Sequence, residues 1–309
     1  MRDFTEDELK RFSKAIDTLS KDAESKVWQV FNRLGFYGDK EVAEAVLVDA
    51  MCLVIDQYGD SIGTAIAEWI EAGYVGPDGI DPKALVVHDA AMEALAAASP
   101  TGKPKVASYV RQAMRFSGDS KAARAAAGRQ AAAYAASEAK RRGYDVIDRT
   151  ITRADATAKQ LGMSPLGLQV IWKPQSATPC AFCTMLASNS WRVASKATLG
   201  QYKEHIHPHC SCVLVFKPPE AAVGGITPKK YLERMNSVIE TDANGTEYVM
   251  TSDGRRINHY RADGKVSDGY WDEVTNALRR KDYQNPEVRD LLQEQHREQY
   301  RRTHEQDDE

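Results

Sequence analysis

Four of the five cysteines and three of the seven histidines fall between residues 180 and 212. "TPCAFCTML" presents Cys180-x-x-Cys183, and "KEHIHPHCSCVLVF" presents His207-x-x-Cys210 followed by Cys212. Two thiolates two residues apart can reach one ion from a tight turn, and a His-x-x-Cys turn can supply the other half of a tetrahedron. Soft sulfur and imidazole ligands in four-coordinate geometry select Zn2+. Cys180, Cys183, His207 and Cys210 make the neatest set. Cys212 lies two residues past Cys210, so on an extended segment it faces the same side and can replace His207 or Cys210. His205 and His209 are weaker candidates. Four protein ligands would close the site and make it structural. It would then clamp the loop 184–206, whose Trp191 and Tyr202 could pack over the metal.

Other thiol chemistry stays open at this point. A redox CxxC opens a helix in a thioredoxin-like unit and has no use for a second Cys/His cluster. A catalytic cysteine paired with His205, His207 or His209 is another reading. Disulfides do not suit a chain whose start, "MRDFTEDELK", is acidic and polar and reads as no export signal. Cys52, inside an apolar stripe, reads as a buried filler.

The elements that must position these residues are mostly helical. "ESKVWQVFNRL" places Val27, Val30, Phe31 and Leu34 at helical spacing. "DKEVAEAVLVDAMCLVIDQYG" sets Val42, Val46, Met51, Leu53 and Val54 on a broad stripe that ends near Gly59. "DSIGTAIAEWIEAGYVG" reads as a further helix through Ile62, Ile66, Trp69 and Ile70. A turn cluster at 76–82 precedes short helices at 83–98 and 104–115. From 119 to 160 the chain is rich in alanine, the best helix former. Lys121, Arg124, Arg129, Lys140, Arg141 and Arg142 stud its first half. Its small side chains admit close approach of another backbone, or else form a plain solvated helix.

"LQVIWKP" and "CVLVF" read as strands that bracket the cysteine region. Beyond them Thr227 and Pro228 stand at the N-cap and first turn of a helix. Asn244-Gly245, Asp253-Gly254 and Asp263-Gly264 mark a hairpin array. Asn285-Pro286 opens a last helix before an acidic tail.

Charge is segregated along the chain. Residues 1–99 carry 9 Lys and Arg against 19 Asp and Glu, whereas residues 100–230 carry 20 against 7. The basic middle suits nucleic acid or another acidic surface, or the two segments pack on each other. No run approaches the roughly 18 apolar residues of a membrane span, and the mean hydropathy of −0.51 fits a folded chain with polar extensions. No membrane partner is expected.

The succession of a strand, "TPCAFCTMLASNSW", a loop and "HPHCSCVLVF" resembles the C-terminal signature of phage Mu F-like (MuF) minor head proteins, in the form found in actinobacterial phages. The matching positions are Cys180, Cys183, Leu186, His207, Pro208, Cys210 and Cys212, within about residues 168–216. Asn189-Ser190-Trp191 departs from the glycine-containing turn often found there. The resemblance implies a protein of head morphogenesis that associates with the portal, major capsid or scaffolding protein inside the procapsid or virion head. It implies assembly in the bacterial host cytoplasm and a part in DNA packaging or delivery, with the basic middle near packaged DNA. Some relatives are described as capsid maturation proteases. Ser188, Ser190, Ser195 and Ser211 lie near histidines in sequence, but no G-x-S-x-G elbow or H-E-x-x-H helix appears. A zinc-stapled nuclease lacks an evident metal- and phosphate-holding residue on a following helix.

The expected architecture is a mainly α N-terminal region (1–164). A small α+β zinc-stapled MuF-like module (165–217) follows, then a linker and a mixed α/β-hairpin tail (218–309).

Overall fold

A computed structural model describes residues 1–34, 40–116, 121–175, 179, 181–207 and 210–290. The elements in chain order are α1 (Glu6–Leu34), α2 (Lys40–Ala72), β1 (Val75–Gly76), β2 (Gly79–Ile80), α3 (Pro82–Ala96), α4 (Lys103–Phe116) and α5 (Lys121–Gln160). They continue as β3 (Gln169–Lys173), α6 (Ala181–Ser188), β4 (Arg192–Val193), α7 (Lys196–Glu204) and β5 (Val213–Lys217). The last are α8 (Pro228–Asn236), β6 (Glu240–Thr241), β7 (Glu247–Met250), β8 (Arg256–Asn258) and α9 (Tyr270–Gln284). The described chain is mainly helical with small antiparallel sheets. No helix of the described residues is long and apolar enough to cross a membrane.

Two compact units divide the chain, one of Met1–Val170 with Trp191–Gly225, the other of Ile171–Ser190 with the residues after Gly225. In the first, α5 is the central rod, 40 residues long, about 60 Å at 1.5 Å per residue. Helices α1, α2, α3 and α4 all pack on it. Its alanines at 127, 131, 132, 135, 136 and 139 are buried, so the close-approach reading of the alanine run holds. Helix α1 offers Leu9, Phe12, Ile16, Ala23, Val27 and Phe31 to this core, a stripe at three- and four-residue spacing. Its start is a capping box: the Glu8 N–H donates to Thr5 Oγ1 (3.2 Å) while the Thr5 N–H donates to Glu8 Oε2 (2.8 Å).

Helix α2 differs from expectation twice. Val42, Val46 and Leu53 are exposed; Met51 and Cys52 are buried as expected, and Leu47, Val48 and Ile55 join them. The segment is apolar on nearly every side, so periodicity alone leaves its rotation undetermined. The positions of α4 and α5 set it. Gly59 also does not end the helix, which continues through Ile62, Ile66, Trp69 and Ile70 to Ala72. A Cβ on Gly59 would lie 2.7 Å from Arg142 Cβ, and one on Gly143 would lie 2.5 Å from Ile62 Cγ2. These glycines are where α2 and α5 cross most closely.

Strands β4, β3 and β5 form a three-stranded sheet in that order. Gln169 stands opposite Val193 and Val170 opposite Arg192 in an antiparallel pair. Every residue of β5 is buried, and its backbone is tied to the helices. Trp69 Nε1 donates to the Phe216 carbonyl (2.7 Å), and the Leu214 N–H donates to the Tyr144 hydroxyl (3.0 Å).

The second unit packs α6 on α8 and α9, and α9 on the sheet β6-β7-β8. Ala181, Met235, Val249, Tyr270, Val274 and Leu278 form its core. Thr227 and Pro228 start α8 as expected. Gly245, Gly254 and Gly264 take positive φ at the three Asx-Gly turns, which glycine alone adopts without strain. Helix α9 was not anticipated. Asn285 follows it, residues 286–290 are helical, and the rest of the anticipated last helix lies outside the described residues.

Candidate metal centre

Cys183 is the third residue of α6. The sequence suggested a turn after the strand; the structure instead places Ala181–Ser188 in a helix, with Ala181, Cys183, Thr184, Leu186 and Ala187 buried. Its position within the second unit is held by one guanidinium. Arg234 of α8 donates to the Pro179 carbonyl (3.1 Å) and to Thr184 Oγ1 (3.0 Å), and its other nitrogen binds Asp282 Oδ2 of α9 (2.6 Å). Removing that side chain would take away the polar ties of α6 to α8 and α9 and leave only the apolar packing around Ala181. Leu186, a position of the MuF-like motif, is buried.

His207 and Cys210 arise in the first unit, just after α7. Ser195 caps that helix by accepting from the Thr198 N–H (3.2 Å), and Leu199 and Tyr202 bury its inner face. His205 closes it, half-buried, and burial moves its imidazole toward the neutral form. The chain then turns sharply, with the Cys210 N–H donating to the His207 carbonyl (3.1 Å). This is the tight His-x-x-Cys turn that the spacing implied. Two cations of α5 grip it from behind. Lys140, itself 2% exposed, donates to the Cys210 carbonyl. Arg141 donates to the carbonyls of Lys203 (3.2 Å) and Ile206 and is paired with Glu138.

Cys183, His207 and Cys210 could hold a metal ion: their ligand atoms all lie within 4.8 Å of one another. Both cysteines are buried and His207 is exposed. Cys212 is buried and stands outside this group. Cys180, Pro208 and His209 lie outside the described residues. Cys52, Cys183, Cys210 and Cys212 form no disulfide. Of the nearby serines, Ser188 donates to the Met185 carbonyl (2.7 Å) and Ser195 is the cap already described. Burial pushes the Tyr144 hydroxyl up, with Cys210 and Cys212 adding in the same direction. It is therefore a neutral hydrogen-bonding strut.

Charge segregation has a partial structural answer. Arg142 binds Asp60 (2.9 Å) and Asp56 (2.8 Å), Lys103 binds Asp49 (2.7 Å), and Arg111 reaches Glu44 (3.5 Å). Cations of the basic middle thus meet carboxylates of the acidic first third on α2. Sequence reading singled out Lys140, Arg141 and Arg142 for their charge. It missed that they turn to partners within the first unit, which no local pattern signals. Beside them lies a cleft of about 650 Å³ lined by Lys105, Glu138, Arg141, Arg142, Asp145 and Lys203. Its cations are largely occupied: Lys105 and Arg141 share Glu138, and Lys203 binds Asp145 and Asp148.

A family model described as VG15 protein matches residues 3–238, about three quarters of the chain. The match takes in the whole Cys/His region and ends just beyond α8, before the hairpin sheet and α9. No curated protein and no solved structure matches the chain.

Proposed function

We propose that this chain, which belongs to the VG15 protein family, a phage-associated family, is a minor head protein that acts by binding during head morphogenesis. The observation that carries the reading is the family match across residues 3–238. The MuF-like order of Cys183, Leu186, His207, Cys210 and Cys212 within it adds support. In this reading the protein sits in the procapsid or virion head and contacts the portal, the major capsid protein or a scaffolding protein. It serves DNA packaging or delivery.

The Cys/His group is read as a structural zinc centre. Cys183, His207 and Cys210 supply three ligands and Cys180 the fourth, with Cys212 able to replace His207 or Cys210. Four filled positions leave no place for substrate. The metal's contribution is folding free energy, roughly 10–16 kcal/mol in zinc-finger peptides. It would clamp the loop 184–206 without a large local core.

Proteomics of purified procapsids and virions, with and without disruption of this gene, tests the role. The chain should be present in particles, and its loss should leave malformed or poorly filled heads. Its absence from both particle types would overturn the reading. Specific cleavage of the major capsid protein by the purified chain would replace it with the maturation-protease reading. Direct DNA contact through the basic segment predicts binding that falls steeply with salt; salt-insensitive or absent binding removes that component.

A further inference from the structure

We propose that Lys140 and Arg141 are positioning residues for the metal centre, presetting the His207–Cys210 turn and offsetting the negative charge of its thiolates. The inference rests on the zinc reading and extends it to two residues that are not ligands.

Three backbone carbonyls beside the ligands receive cationic donors from one stretch of α5. Arg141 takes those of Lys203 and Ile206, and Lys140 takes that of Cys210. Carbonyls before and after the turn are therefore anchored on the same rigid helix. The turn itself contributes the Cys210-to-His207 hydrogen bond. A ligand pair held this way loses little conformational freedom when the metal binds, which is how outer groups raise affinity.

Electrostatics argue the same way. Zinc with three thiolates and one imidazole carries a net charge of −1, and in a partly buried place that charge is stabilised by nearby positive groups. Lys140 brings an ammonium to the carbonyl of a ligand residue while being almost wholly buried. Glu24 of α1 lies within its electrostatic reach, and Glu138 holds Arg141 on the other side. Arg141 is thus fixed on α5 by Glu138, and both cations donate to carbonyls that flank the turn. A cation without such a task is rarely buried to this degree.

The test uses the full chain loaded with zinc, and with Co2+ as a spectroscopic substitute. Zinc affinity by chelator competition is compared for wild type, Lys140→Met and Arg141→Gln. Melting of each is followed with and without metal. Loss of an outer partner of a metal site typically lowers affinity about 10–100-fold, and that loss is expected for Lys140→Met. A smaller loss in the same direction is expected for Arg141→Gln, which serves alone if Lys140→Met does not fold. The thiolate-to-cobalt band should shift, and the melting increment given by zinc should shrink. Arg141→Lys, which keeps the charge and one donor, should recover part of the affinity. Unchanged affinity and cobalt spectrum, with equal loss of melting temperature in both metal states, would reduce these residues to ordinary structural contacts and sink the proposal. A wild-type chain that binds no zinc would overturn the zinc centre itself, and this inference with it.

Discussion

Arg142 on α5 donates through Nε to Asp60 on α2 at 2.9 Å, directly beside Gly59, whose missing side chain makes room for the arginine stem. A charge that reads in sequence as part of a basic segment is spent inside the fold. The same guanidinium binds Asp56 (2.8 Å) and donates to the Ser99 carbonyl (2.7 Å), so α2, α5 and the loop after α3 meet at one side chain.

Arg142→Met should therefore destabilise the first unit by about 2 kcal/mol, because two partly buried carboxylates lose their partner. Solvent access to Asp60 keeps the loss below that of a fully buried pair. Denaturant unfolding of Arg142→Met, Asp60→Asn and the double variant measures it. A coupling energy near zero would show that the pair is incidental.

Gly143→Ala and Gly200→Ala should move stability in opposite directions. Both residues are helical, and alanine is favoured over glycine in a helix by roughly 1 kcal/mol. At Gly200 a Cβ meets nothing within 4 Å, so the gain should appear. At Gly143 it would meet Ile62 Cγ2 at 2.5 Å and the Gly59 carbonyl oxygen at 3.1 Å. Overpacking there should cost about 1–3 kcal/mol and outweigh the propensity gain. Melting temperatures of the two variants decide it; equal signs would mean that the α2–α5 crossing is loose.

Glu8→Ala should cost about 1 kcal/mol at neutral pH by opening the capping box of α1. The Thr5 N–H first, then Arg2, hold the Glu8 carboxyl at about 2, below its ordinary 4.5. A depressed acid contributes stability that is complete above about pH 4.5 and is lost as pH falls toward 2. The difference between wild type and Glu8→Ala should therefore shrink on acidification from pH 7 to 3. A pH-independent difference would assign the effect to packing rather than to the charged cap.

Cys52→Ala should leave zinc stoichiometry unchanged and cost roughly 1 kcal/mol as a small core truncation. Cys52 is buried among Leu47, Met51 and Val106 in the first unit. Burial first, then Asp56 and Asp49, push its thiol up. It should resist alkylation in the native chain at pH 7. Rapid labelling, or loss of metal in the variant, would contradict its place as a core residue.

Cys183→Ser and Cys210→Ser should each abolish or strongly weaken metal binding, since both contribute a sulfur to the three-residue group. Native mass spectrometry of the purified chain reads this directly. One zinc per wild-type chain and none in the variants is expected; retention in either variant would remove that residue from the ligand set.

The sequence by itself determined local structure and local chemistry. Alanine propensity carried α5, the Asx-Gly pairs carried the hairpin turns, and Thr227-Pro228 carried the start of α8, because each depends on backbone preferences of a few adjacent residues. The Cys/His spacing likewise announced a metal-capable turn, since a His-x-x-Cys turn is complete within four residues. Helix α9 had readable apolar spacing at Tyr270, Val274, Ala277 and Leu278, but its burial depends on Ala181 far away in the chain. Only the tertiary structure decided which side of α2 turns inward, because a helix apolar on most sides has no preferred face until a neighbour covers one. It also decided that Gly59 is a crossing point rather than a helix end, and that Lys140, Arg141 and Arg142 turn toward carbonyls and carboxylates. Those choices are set by long-range contacts, in which partners 65 to 82 residues apart satisfy a charge that no local pattern can show.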